Sequence, residues 1–195
     1  NAISDIKTSA IDLKQKYGIP VDVKIIGIVG LIIPERNHVM LINGFSKLFK
    51  RYPKVHLLIV GHGQKKSKDE LLKIILKLDL ENNITFTGRC FDAKQIIASL
   101  DVLVLPYSIE PFGRTLLEAW QLKIPVVLSK VDYIDEIVND KINGLLFNLN
   151  SVEELVNALE TALYDNILRD KLINNGVQHC KTNFSIIEYG KNLMN

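Results

Sequence analysis

Four runs constrain this chain more than any other feature: VKIIGIVG (23–30), HLLIVG (56–61), DVLVLP (101–106) and IPVVLS (124–129). Each is almost continuously apolar, and each is followed by a stretch of helical period. A strand with one face in water alternates apolar and polar residues, whereas a strand without alternation is covered on both faces. Two shorter runs, ITFTG (84–88) and GLLF (144–147), fit the same scheme. Between the runs, Leu41, Phe45, Leu48 and Phe49 mark one face of a helix from about Asn37 to Arg51. Leu71, Leu72, Ile75 and Leu78 mark a second, from Lys68 to Leu78. Shorter helices are expected near 92–99 and 133–138, with one opening at Gly113. The stripe Val152, Leu155, Val156, Leu159 and Leu163 begins helical structure that continues toward Asn195. Strands alternating with single helices predict an α/β fold. Right-handed crossovers then make it a doubly wound (Rossmann-like) parallel sheet of about six strands in three αβα layers. Residues 21–195 form that unit. Residues 1–20 read as a hinge segment with a helix from about Ser9 to Tyr17.

At 195 residues and 47% hydrophobic, the chain suffices for one domain with a developed core and is short for two. With 24 basic and 22 acidic residues the net charge is +2, so there is no electrostatic case for nucleic acid binding. Lys65, Lys66 and Lys68 read as a solvated loop. Cys90 and Cys180 have no metal spacing and make no disulfide framework, which fits a cytoplasmic setting. The run IIGIVGLII (25–33) is too short to span a bilayer, and no signal peptide opens the sequence. Peripheral contact with a membrane stays open.

Doubly wound sheets bind ligands in the crevice at the carboxyl ends of their strands. The segment EPFGRTLLEAWQLKIP (110–125) lies there, with seven residues between Glu110 and Glu118. A strand, a glycine turn and a helix leave unpaired N–H groups at the helix mouth, which suits a phosphate. At about 1.5 Å rise per residue, Glu118 lies roughly 7–8 Å along the helix from Gly113. That is where the ribose of a phosphate-anchored nucleotide could lie. Glu118 sits within the apolar LLEAW, so if buried it needs a partner, either a ligand or a structural hydrogen bond or salt bridge. Glu110 is either a loop carboxylate with a function or a helix-capping acid. Gly113 and Thr115 have ordinary readings as a turn glycine and a first-turn residue. Arg36, in the loop after the first strand, carries a fork suited to phosphate oxygens, or else is a solvated arginine. His56 reads as a strand residue; His38 and His62 lie in ligand-side loops. GHGQKKS (61–67) lacks the order and spacing of a phosphate-binding P-loop. No G-x-G-x-x-G follows the first strand, and no G-x-S-x-G occurs.

VGLIIPERNHVMLINGF, LLIVGHGQ, NITFTGR, DVLVLPYSIEPFGRTLLEAW, IPVVLS and EIVNDKINGLLF together resemble the retaining nucleotide-sugar glycosyltransferases of family 4. They are similar to the C-terminal, donor-binding half of that two-domain GT-B fold, from Asn1 to about Tyr189. The resemblance implies that Glu118 holds the ribose, that Glu110 faces the transferred sugar, and that Arg36 neutralises the diphosphate. Backbone at Phe112, Gly113 and Arg114 would approach the sugar and phosphates. Thr115 would lie near the diphosphate, and Gly88, Arg89 and Cys90 beside the base; Gly30 is assigned to the donor site as well. The implied partners are a nucleotide-sugar donor and a glycan or lipid-linked acceptor, the latter bound by an N-terminal half outside this sequence. No metal or other cofactor is expected, and the isolated chain should bind donor with little turnover. The implied setting is surface polysaccharide or glycolipid assembly in the cytoplasm, at the inner face of the membrane. The sequence departs from the family at Leu31, where an arginine is usual, and at Asn37, where a glycine is usual. It departs again at Tyr107, where a serine is usual, and at Asp132-Tyr133, where a glycine pair is usual. Another GT-B enzyme, an epimerase or phosphorylase, and a non-catalytic nucleotide-binding module are the competing readings.

Overall fold

The computed structural model describes residues 13–109 and 114–184. In chain order the elements are β1 (Lys24–Val29), α1 (His38–Arg51), β2 (Val55–Val60), α2 (Lys65–Lys77), β3 (Ile84–Gly88) and α3 (Ala93–Ala98). They continue with β4 (Val102–Leu105), α4 (Arg114–Gln121), β5 (Val126–Ser129), β6 (Leu145–Phe147), α5 (Val152–Tyr164) and α6 (Asn166–Asn183). Single 3-10 turns occupy Pro34–Arg36 and Ile134–Glu136.

The six strands form one sheet in the order β3-β2-β1-β4-β5-β6, and all pairings are parallel. The doubly wound α/β sheet read from the sequence is therefore observed. Every residue of β2, β4 and β5 is buried, as non-alternating apolar strands require. The edge strand β3 is mostly half-buried. Helix α1 packs against α2 and α5, α4 packs against α3 and α6, and α5 packs against α6. The expected α5 stripe holds: Leu155, Val156, Leu159 and Leu163 are fully buried. Side-chain caps start three helices: Asp92 accepts from Gln95 N at 3.2 Å, Ser151 from Glu154 N at 3.1 Å and Asp165 from Leu168 N at 2.9 Å.

The differences from the sequence reading have local causes. Lys65, Lys66 and Lys68 are solvated as expected, but they form the first turn of α2 rather than a loop. The helix expected near 133–138 is one 3-10 turn. The side chain of Asn143 donates to Ile137 O at 3.0 Å and accepts from Asn139 N at 2.8 Å, claiming groups that a longer helix would use. Residues 13–16 are helical. Leu13 and Ile19 join the core, so the end of the hinge segment is packed on the sheet unit. Among the described residues, no helix is long and apolar enough to cross a membrane.

Candidate functional site

The strand order reverses direction between β1 and β4, so their carboxyl ends define the crevice. The loops leaving the two strands are tied across it. Ser108 N donates to Glu35 O at 2.8 Å, and Ser108 Oγ donates to the same carbonyl at 3.2 Å. Asn37 Nδ2 donates to Pro106 O at 2.9 Å. Asn37 has φ 47° and ψ 40°, a left-handed conformation that asparagine tolerates better than most side chains. This accounts for asparagine where the family usually has glycine. Its amide makes no cap for α1 and serves the opposite loop instead.

Arg36 sits at the centre of this junction. Its Nη1 donates to Val29 O at 2.9 Å and to the hydroxyl of Tyr107 at 3.0 Å, and the guanidinium lies 4.6 Å from the centre of the Tyr107 ring. The Tyr107 hydroxyl in turn donates to Val29 O at 3.0 Å. Burial pushes the Tyr107 phenol up to about 12, against the opposing pull of Arg36, so it stays protonated at ordinary pH. Ser129, fully buried at the end of β5, donates to Tyr107 O at 2.5 Å. Gly30 has φ 142°, and a Cβ there would overlap the Arg36 guanidinium. Its lack of a side chain is what admits Arg36 to the junction. Leu31 is exposed next to it.

Helix α4 leaves the same end of the sheet. Leu116, Ala119 and Trp120 are its buried face. Trp120 donates from Nε1 to Asn143 O at 2.9 Å, and a side chain at Gly176 of α6 would strike the indole. Glu118, on the same helix, is half-buried. Among the described residues its carboxylate has neither a hydrogen-bond donor nor an ion-pair partner, so the structural-bond alternative has no support there. Arg114 is exposed and Thr115 half-buried. Glu110, Phe112 and Gly113 lie outside the described residues.

The loop Gly88–Asp92 joins β3 to α3, which packs on β1 and α4. Three strand spacings of about 4.8 Å put roughly 14 Å between the ends of β3 and β4, the scale of an extended nucleotide. Arg89 is exposed, 5.9 Å from the ring of Phe91, and the half-buried Cys90 faces a 280 Å³ cavity with Tyr17, Asp92 and Gln95. Beyond β5, Tyr133 adopts φ 65° where the family usually has glycine and stands exposed at a 540 Å³ depression with Lys130, Asp132 and Asp135. Sequence reasoning missed the roles of Tyr107 and Ser129; Tyr107 stood out only as a departure from the family.

Of the histidines, His62 is exposed in its loop, whereas His38 and His56 are buried. His56 lies within β2 as expected, with Nε2 2.9 Å from Thr85 Oγ1. Burial first, and for His38 also the nearby Arg36, hold both rings near a pKa of about 4. The folded values are below the unfolded one, so this contribution is present above about pH 6.5 and is lost as pH falls toward 4. The expected loss is on the order of 2 kcal/mol per histidine after solvent screening. The thermal midpoint should therefore fall steadily from pH 7 to pH 4.5; a flat profile would contradict the neutral assignment.

This junction and this strand order fit what comparison with known proteins shows. The signature of "Glycosyl transferases group 1" matches residues 9–179, and the chain belongs to that family. It is 28% identical over 172 residues to the lipopolysaccharide core biosynthesis glycosyltransferase LpsE of Rhizobium meliloti, covering 88% of this chain and 49% of that protein. The fold is similar to the crystal structure of Anabaena Alr3699/HepE in complex with UDP and glucose. The TM-score there is 0.87 at 25% identity, over 96% of this chain and 51% of that one. It is similar also to the C-terminal domain of a glycosyl transferase group 1 family protein, LpcC, from Francisella tularensis. That match has a TM-score of 0.77 at 26% identity, over 89% of this chain and 93% of that one. The chain spans about half the length of the curated relatives it matches.

Proposed function

We propose that this chain is the donor-binding half of a glycosyltransferase. The whole protein transfers a sugar from a nucleoside diphosphate to an acceptor hydroxyl, with retained configuration. The observation that carries this reading is Glu118: a half-buried carboxylate without a protein partner among the described residues, on a helix leaving the strand-order reversal. In this reading it accepts hydrogen bonds from the ribose hydroxyls. The diphosphate lies on the first N–H groups of α4, near Thr115 and the backbone of Arg114, with Arg36 as its cation. The leaving diphosphate gathers charge, and preorganised donors lower the barrier by meeting that charge as it forms. No metal is needed for this role. Gly88, Arg89 and Cys90 flank the base, Gly30 makes room for the Arg36 guanidinium on the phosphate side, and Glu110 with the backbone at Phe112 and Gly113 faces the sugar. A second half binds a glycan or lipid-linked acceptor, in surface polysaccharide or glycolipid assembly at the cytoplasmic face of a membrane. LpsE, from lipopolysaccharide core biosynthesis, supports that setting.

A thermal-shift panel of UDP, GDP, ADP and CMP tests the reading. A ligand at 100 times its Kd stabilises by about 2.7 kcal/mol. A response to none of them would favour a non-catalytic module. Leu31 adds a second test. An arginine at this exposed position would supply another cation beside Arg36, and Leu31→Arg is expected to tighten nucleoside diphosphate binding roughly tenfold, as one charge-assisted hydrogen bond would. Isothermal titration checks this; unchanged affinity would place the loop away from the diphosphate.

A further inference from the structure

We propose that Tyr107 is a positioning residue for the diphosphate: it fixes the Arg36 guanidinium at the junction of β1 and β4 with its remaining N–H groups free to meet phosphate oxygens. This rests on the donor-site reading above.

Three groups close a triangle: Arg36 Nη1, the Tyr107 hydroxyl and Val29 O, with separations of 2.9, 3.0 and 3.0 Å. The donors and acceptors balance. Nη1 spends its two hydrogens on the phenol oxygen and the carbonyl, and the phenol spends its single hydrogen on the same carbonyl. The carbonyl accepts with both lone pairs. The ring beneath the guanidinium adds a stacking surface 4.6 Å away. Nε and Nη2 take no part in the triangle and have no partner among the described residues. They form a planar edge of N–H donors matched to two oxygens of a diphosphate.

Tyr107 itself is rigid. Its side chain is 6% exposed, and its carbonyl is held by the buried Ser129. The Ser108–Glu35 and Asn37–Pro106 hydrogen bonds lock the two loops on either side of it. A free arginine side chain loses rotamer freedom on binding a phosphate, whereas one already held does not. The phenol hydroxyl therefore acts on affinity through Arg36 and only where phosphate is present.

Tyr107→Phe keeps the ring and the packing and removes only the hydroxyl. The probes are whichever of UDP, GDP and ADP binds the wild-type chain best, together with its parent nucleoside. The expected result is an about five- to tenfold rise in Kd for the diphosphate with the nucleoside unaffected. In an Arg36→Ala background the same substitution is expected to change nothing, because the group it positions is gone. Equal losses for diphosphate and nucleoside would mean a general structural role and overturn the proposal. So would the same loss in the Arg36→Ala background, or no loss at all. Failure of the wild-type chain to bind any probe would overturn the donor-site reading itself, and is seen before any substitution is made.

Discussion

Replacing Glu118 by alanine is expected to weaken nucleoside diphosphate binding about a hundredfold or more. A carboxylate that accepts from both ribose hydroxyls makes two charge-assisted hydrogen bonds, each contributing about 1.5–3 kcal/mol, and every 1.4 kcal/mol is a factor of ten. The fold should tolerate the change. Glu118 is half-buried and takes no protein partner among the described residues, so its removal leaves no donor stranded. Its neighbours Leu116, Ala119 and Trp120, not Glu118, anchor the helix. Isothermal titration alongside a melting curve separates the two effects: the affinity collapses while the thermal midpoint stays nearly constant. An unchanged Kd would show that the acid is not at the ribose. A large drop in the midpoint would show that it is structural.

Trp120→Ala should show the opposite pattern, a loss of stability of about 3–5 kcal/mol, in the range for removal of a buried aromatic side chain. Trp120 is 1% exposed, and three parts of the molecule close on it. Asn143 accepts its N–H through its backbone carbonyl, Gly176 of α6 lies against the indole, and His179 meets it edge-on at 5.4 Å between ring centres. The substitution leaves a cavity between α4 and α6 and strands a buried carbonyl. Because α4 also carries Glu118, nucleotide affinity should fall as the helix loosens. Chemical denaturation at fixed pH measures the loss. A change below 1 kcal/mol would mean that the α4–α6 contact is not part of the stable core.

The fold was largely legible because its signal is local and redundant. Uninterrupted apolar strands such as β2 and β4 have few alternatives in a chain of this length, and the period of α1 and α5 is unmistakable. What escaped the reading depends on tertiary partners. Nothing in DYIDEIVND says that Asn143 will claim the backbone of Ile137 and Asn139 and stop a helix after one turn. The polar opening of α2 carries no apolar periodicity, so the pattern marks the helix only from Lys68, three residues after its start at Lys65. At the site, Glu118 and Arg36 could be singled out by type and place, since a lone acid in an apolar helix and a fork after a strand are both conspicuous. Tyr107 was not recognisable as part of the junction. Its place there needs two loops about 70 residues apart in sequence to meet, as they do at the Arg36–Tyr107 hydrogen bond. Asn37 and Gly30 are similar. One is explained by a left-handed backbone, the other by the space that Arg36 occupies, and neither property is visible in one dimension.

Backbone amide shifts of the labelled chain, followed by NMR during titration with UDP, GDP and ADP, bear most directly on the central claim. The account predicts that at least one of them perturbs Gly30, Arg36, Gly88–Cys90 and Arg114–Glu118 together, tracing a nucleotide laid across the carboxyl ends of β3 through β4. Responses gathered instead at the opposite strand ends, around Lys24, Val55 and Tyr164, or no response to any of the three, would contradict it.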